Sequence, residues 1–203
     1  KSMIIPNGID DFWLRNKNSL RKLSNNKTLK LLYVGTISKR KNLTTTGKTV
    51  QLLREIGYDT VLTVVGKIID RKIFNQIKNL PYVNYIEPIP KENLIKIYRE
   101  NDIFIMPSIT ETFGLVYAEA MSQGLPVIYT KGQGFDGQFE DGIVGYSVNC
   151  FDVQDVANKV IRILDKYEEH SRNCIKLCAK FDWNKIAVKY IELYESIVKG
   201  ENL

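Results

Sequence analysis

Short apolar runs alternate along the chain with stretches whose apolar positions recur every three or four residues. Leu29–Val34, Thr60–Val65, Tyr82–Ile86, Asp102–Met106, Pro126–Thr130 and Val144–Val148 read as strands of five or six residues. Asn42–Ile56, Asp70–Leu80, Glu92–Glu100 and Thr112–Gln123 read as helices, three of them stopped by Gly57, Pro81 and Gly124. Strands this short, apolar throughout and mostly followed by helices fit βα units on a sheet buried on both faces. The fold class expected is α/β: a Rossmann-like, doubly wound, mostly parallel sheet with helices on both faces.

The tail changes period. From Asp152 the apolar positions Val153, Val156, Val160, Ile163, Leu164 and Tyr167 follow a helix. In the last segment Trp183, Ile186, Ala187, Tyr190, Ile191, Tyr194, Ile197 and Val198 form a wide stripe behind Asp182, a suitable N-cap. The expectation for this stripe is core packing. The competing reading is docking on something outside the chain.

Composition adds limits. With 203 residues, 44% of them hydrophobic and 26% charged, the chain can bury one full core and is not a disordered or low-complexity sequence. No stretch approaches the ~18 apolar residues of a membrane span. Three Cys are too few for a disulfide scaffold, and no signal-peptide pattern opens the chain, so a cytoplasmic setting is expected. Opening at Lys1 and not at Met, the sequence reads as a piece of a longer protein. The net charge of +6 points to an anionic partner without choosing among nucleic acid, acidic lipid and phosphorylated small molecule.

Open α/β sheets bind ligands at the carboxyl ends of their strands, which directs attention to the loops after Val34, Val65, Ile86, Met106 and Thr130. The loop after Met106 reads PSITETFGLVYAE. Glu119 is the only charged residue between Thr112 and Thr130, and an acid among apolar neighbours needs a partner or a ligand. Gly114 leaves room for a ligand to approach the free amides of a helix start, a setting that suits phosphate. Glu111 and Glu119 would lie about 12 Å apart if one helix joined them, too far for a hydrolase pair. After Gly35, the run Lys39-Arg40-Lys41 offers cations for a phosphate.

Other patterns lack their supporting parts. Gly132-Gln-Gly134-Phe-Asp-Gly137 has dinucleotide spacing, but only four residues follow before the next Gly, too few for the helix that fingerprint opens. His170, Cys174 and Cys178 share one helical face but want a fourth metal ligand, and packed thiols are the simpler account. No D-x-D appears to hold a metal-diphosphate, and no metal site is expected. Asn26-Lys-Thr28 and Asn42-Leu-Thr44 are sequons of consequence only in a secreted protein.

Glu111-x7-Glu119, within PSITETFGLVYAEAMSQGLPVI, resembles the donor-site signature of glycosyltransferase family 4, a family of the GT-B fold. Further stretches agree in order and spacing. IIPNGID (Ile4–Asp10) resembles the family's interdomain linker, and LLYVGTISKRKNL (Leu31–Leu43) its first C-terminal-domain strand and loop. Val64–Gly66, Tyr98–Ser108, the turn at Glu140–Gly145 and FDWNKIAVKYIELYESI complete the match. The resemblance implies residues 1–12 as linker and 13–203 as a donor-binding domain, with 182–198 as a terminal helix crossing to a missing N-terminal acceptor domain.

It also implies a retaining, metal-independent transferase without cofactor, moving sugar from a UDP- or GDP-sugar to an acceptor glycan or lipid-linked sugar, with no nucleic acid as partner. By position Glu111 would contact the donor sugar and Lys41 the diphosphate, the two forming the catalytic pair. Thr112, Phe113, Gly114 and Leu115 would frame sugar and diphosphate, and Glu119 would hold the ribose. Gly35, Thr36 and Gly66 would also bind the donor, with Ile86–Pro88 beside the base. Cell-surface polysaccharide or glycolipid synthesis, with peripheral association at the inner membrane face, is the setting implied. Two departures stand out: Thr36 replaces a common Arg, with Lys39 or Arg40 as substitutes. The usual Gly-Gly-x-x-Glu here reads Gly132-Gln-Gly134-Phe-Asp136-Gly137, with Asp136 the candidate for the displaced acid. The alternatives are an NAD-dependent oxidoreductase using Gly132–Gly137, a basic nucleic-acid-binding module, and a phosphorylase or sugar-phosphate synthase of the same fold.

Overall fold

A computed structural model describes residues 5–23 and 28–199. Lys1–Ile4 of the expected linker, Asn26-Lys27 of one sequon and residues 200–203 lie outside the described residues. In chain order the elements are α1 (Asp11–Arg15), β1 (Thr28–Val34), α2 (Leu43–Glu55), β2 (Asp59–Val65), α3 (Arg71–Ile77), β3 (Val83–Ile86), α4 (Lys91–Glu100) and β4 (Ile103–Ile105). They continue with α5 (Leu115–Ser122), β5 (Val127–Thr130), β6 (Gly145–Val148), α6 (Val153–Asp165), α7 (Tyr167–Leu177) and α8 (Trp183–Val198). Short 3-10 turns occupy Lys39–Lys41 and Cys178–Phe181.

Six parallel strands form one sheet in the order β3-β2-β1-β4-β5-β6. The apolar runs fill its centre: Leu31, Leu32, Tyr33, Phe104, Ile105, Val127 and Ile128 are all buried. Helices α2, α3 and α6 pack together, while α1, α5 and α7 form a second group. The doubly wound sheet with helices on both faces is therefore present, and all six strands lie where the apolar runs placed them to within one residue at each end. Asp102 and Met106 fall outside β4, each by one residue.

Three expectations change. The helix expected from Thr112 begins only at Leu115, because Gly114 takes a left-handed conformation as its N-cap and the loop before it is tied to Arg40 and Gln133. The 12 Å helical spacing of Glu111 and Glu119 falls with it. The tail helix breaks at Lys166, so Tyr167 opens α7 and donates its hydroxyl to the Asp102 carbonyl at 3.1 Å. The α8 stripe is not core: Ile186 is buried, but Trp183, Ile191, Tyr194, Ile197 and Val198 are exposed.

The segment before residue 13 packs on the domain. Ile9 is buried, its N–H donates to the Phe181 carbonyl at 3.0 Å, and Trp13 of α1 meets Tyr98 edge-on at 5.4 Å. Burying Ile9 and Trp13 fastens this segment to the domain, so the expected boundary between residues 12 and 13 cuts through a packed helix. Among the described residues no helix is long and apolar enough to cross a membrane.

Candidate donor site

Strand β1 is flanked by β2 and β4, and the chain leaves β1 and β4 toward opposite faces of the sheet. Such a switch point opens a crevice between two loops. Here the loops are Gly35–Asn42 and Met106–Gly114. The first is fixed by Ile37, which is fully buried and donates its N–H to the Lys67 carbonyl at 2.8 Å. The chain then makes the 3-10 turn and enters α2 through Asn42, which is left-handed at φ 54.

Asn42 clasps the two loops. Its buried amide nitrogen donates to the carbonyls of Pro107 (2.9 Å) and Cys150 (2.7 Å), and its oxygen accepts from Thr45 Oγ1 at 3.0 Å. The Arg40 carbonyl accepts from Ile109 N–H at 2.8 Å. These bonds bring Lys41 Nζ against Glu111 Oε2 in an ion pair whose side chains are 12% and 5% exposed. Lys39 and Arg40 point to the exposed surface.

Glu111 is held on its backbone as well. Its N–H donates to Gln133 Oε1 at 2.8 Å, and its carbonyl accepts from Gly134 N–H at 3.0 Å. Thr112, exposed, donates its N–H to Glu111 Oε1 at 3.1 Å. Phe113 turns inward to meet Phe181 edge-on at 5.7 Å. Gly114 takes φ 79, and a Cβ there would collide with the Tyr117 ring, so glycine is required at this turn. Past it, α5 begins with the N–H groups that a helix leaves without internal acceptors, and Leu115 stands half-exposed beside them.

Glu119 lies one turn farther along α5. Its Oε2 accepts from the Tyr98 hydroxyl at 3.1 Å. Burial pushes this carboxyl up to about 7, against the Tyr98 bond, with Asp10 adding to the rise. Asp10 itself is held low, chiefly by its hydrogen-bonded partner Lys91. The region therefore offers a buried cation–carboxylate pair, a helix start and a second carboxyl that burial disfavours as an anion.

Residues 15–180 match the family model of the glycosyl transferases group 1. The chain belongs to that family. A protein of the cps region of Klebsiella pneumoniae, itself uncharacterised, is 31% identical over 200 residues, covering 89% of this chain and 49% of that one. D-inositol 3-phosphate glycosyltransferase of Corynebacterium kroppenstedtii is 30% identical over 122 residues, covering 59% and 27%. Among solved structures, sucrose-phosphate synthase from Thermosynechococcus elongatus superposes with a TM-score of 0.77 at 26% identity, over 97% of this chain and 53% of that one. WaaG, a glycosyltransferase involved in lipopolysaccharide biosynthesis, superposes at 0.70 with 20% identity over 94% and 55%, a likeness of fold. The chain thus spans about half the length of these relatives, or less.

Within this group 1 domain of a GT-B fold, the other expected donor residues have local structural roles. A Cβ on Gly66 would collide with the Gly35 carbonyl, so Gly66 lets the turns after β1 and β2 touch. Thr36 is exposed, and its carbonyl accepts from the Tyr33 hydroxyl at 3.0 Å. Ile86 ends β3 half-buried, its carbonyl accepting from Gly66 N–H at 3.2 Å. Asp136, the candidate for the displaced acid, accepts from Gly132 N–H at 2.7 Å and closes its own loop. The Gly132–Gly137 stretch opens no helix.

The face of α7 is packed as expected of thiols. Cys174 and Cys178 donate to the Val144 and Ile175 carbonyls, and His170 Nδ1 lies 3.4 Å from the Ile143 carbonyl. No group of three or more His, Cys, Asp or Glu is placed to hold a metal among the described residues. Three residues that hold the candidate site in place escaped the sequence reading: Asn42, Gln133 and Tyr98. An Asn between a basic turn and a helix is a visible N-cap signal; its reach to Pro107 and Cys150 is not.

Proposed function

We propose that this chain is the donor-binding half of a retaining, metal-independent glycosyltransferase. It takes a sugar from a UDP- or GDP-sugar and delivers it to an acceptor hydroxyl. The observation that carries this reading is the buried Lys41–Glu111 pair at the β1/β4 switch point, beside the free amides of α5. A nucleotide diphosphate entering the crevice would take Lys41 as its cation and the α5 amides as donors. Both favour the charge that grows on the departing diphosphate. Glu111, released from Lys41, would accept from hydroxyls of the donor sugar. Glu119 would accept from the ribose hydroxyls, and the end of β3 at Ile86–Pro88 would border the base.

The acceptor side belongs to a preceding domain, and the exposed stripe of α8 is the surface offered to it. The exposed Trp183, Ile191, Tyr194 and Ile197 support this part of the reading. The resemblance of the Glu111-x7-Glu119 stretch to glycosyltransferase family 4 is the ground for assigning the chain to cell-surface polysaccharide or glycolipid synthesis, in the cytoplasm or peripherally on the inner membrane face. The test is a nucleotide-sugar screen on the two-domain enzyme, read by nucleotide release. Release with one nucleotide-sugar, abolished by Glu111→Ala and undiminished by chelator, is expected. Release that requires a divalent metal would contradict the reading.

A further inference from the structure

We propose that Gln133 is a positioning residue for Glu111 and sets sugar recognition apart from nucleotide binding. The proposal rests on the donor-site reading of Glu111. Both backbone polar groups of Glu111 are held by one dipeptide: Gln133 Oε1 accepts its N–H at 2.8 Å, and Gly134 N–H donates to its carbonyl at 3.0 Å. With Lys41 on the carboxylate, the backbone and side chain of Glu111 are fixed from two separate loops. Gly134 is required for this approach, since a Cβ there would collide with the Thr112 carbonyl. Gln133 stands where the family resemblance leads one to expect glycine, which has no side chain to make the bond. The departure at this position therefore supplies the contact that orients the acid.

The division of labour follows from geometry. The hydrogen bond found for the Gln133 side chain goes to Glu111, and none goes to Lys41 or Glu119. Losing it would free the Glu111 N–H while leaving the diphosphate cation and the ribose carboxylate in place. Gln133 also borders a cavity of about 410 Å³ with Thr130, Asn149 and Phe151, so a change of side chain there meets open space and not the core.

Two variants separate positioning from bulk. Gln133→Met keeps the length and loses the acceptor; Gln133→Glu keeps the acceptor. Amide hydrogen exchange, followed by NMR on the chain, should show the Glu111 N–H exchanging about tenfold faster in Gln133→Met, the loss of one hydrogen bond. Protection should persist in Gln133→Glu. Calorimetry with UDP, GDP, UDP-glucose and GDP-mannose should then show the sugar's contribution to affinity reduced several-fold in Gln133→Met, with the bare nucleotide unchanged. Equal Glu111 exchange in wild type and Gln133→Met would overturn the positioning role whatever the ligand. An equal loss for nucleotide and nucleotide-sugar, or no sugar contribution in the wild type, would overturn the role in recognition. If the wild type binds no nucleotide, the donor-site reading fails, while the exchange experiment still reports whether Gln133 holds Glu111.

Discussion

Glu111 and Glu119 belong to one short stretch of sequence, and the fold gives them opposite surroundings. Glu111 stands in a loop, compensated by Lys41 and held by Gln133 and Gly134. Glu119 stands inside α5 with the Tyr98 hydroxyl as its side-chain partner and a carboxyl pushed up to about 7. An acid beside a buried cation has its charge compensated, and removing it leaves the cation unpaired. An acid buried with a neutral partner costs stability whenever it is charged. Spacing along the chain cannot tell these two cases apart; the partners brought by distant loops do.

The largest effect should come from breaking the compensated pair. Glu111→Ala leaves Lys41 buried without its partner and should cost about 3 kcal/mol in denaturant unfolding at neutral pH. A cost near zero would mean that the pair is screened by solvent. Asn42→Ala should follow at about 2 kcal/mol, from the loss of buried amide bonds to Pro107 and Cys150 and from strain at φ 54. Asn42→Gly relieves the strain alone and should recover only part of that loss.

Glu119→Gln should act in the opposite direction. Its folded carboxyl titrates above its ordinary range, so the native state holds a proton that the unfolded chain has released. Stability should therefore fall as pH rises from about 4.5 to about 7. Removing the charge should raise stability at pH 8 by on the order of 2 kcal/mol and flatten that slope. Unfolding curves at pH 5 and pH 8 check both the sign and the window. The smallest effect is expected at Thr36, exposed on the first loop. Thr36→Arg adds a cation where the family commonly has one and should tighten nucleotide binding about threefold, as a solvent-exposed charge allows. Unchanged affinity would place that position away from the phosphates.

Much of the architecture was legible in the sequence because burial of a parallel sheet on both faces writes itself as uninterrupted apolar runs. Leu31–Val34 and Ile103–Met106 are the clearest cases. The start of α5 lies later than the pattern suggests because Thr112 and Phe113 are compatible with a helix, while the left-handed turn at Gly114 and a loop tied to Lys41 and Gln133 keep them out of it. The α8 stripe misled in the other direction: periodicity reports that a face is apolar, not what covers it. Lys41 and Glu111 could be named from a motif. Their pairing depends on Asn42, Gln133 and Gly134, whose contacts cross the sheet and carry no local pattern.

The contrast between the two acids is tested most directly by calorimetric titration of UDP and GDP into the wild type, Glu111→Ala and Glu119→Ala at pH 8. The account predicts that one nucleotide binds, that Glu119→Ala weakens it about tenfold through loss of charge-assisted hydrogen bonds to the ribose, and that Glu111→Ala leaves it within about twofold. Equal affinity in the wild type and Glu119→Ala, or no binding of either nucleotide, would contradict it.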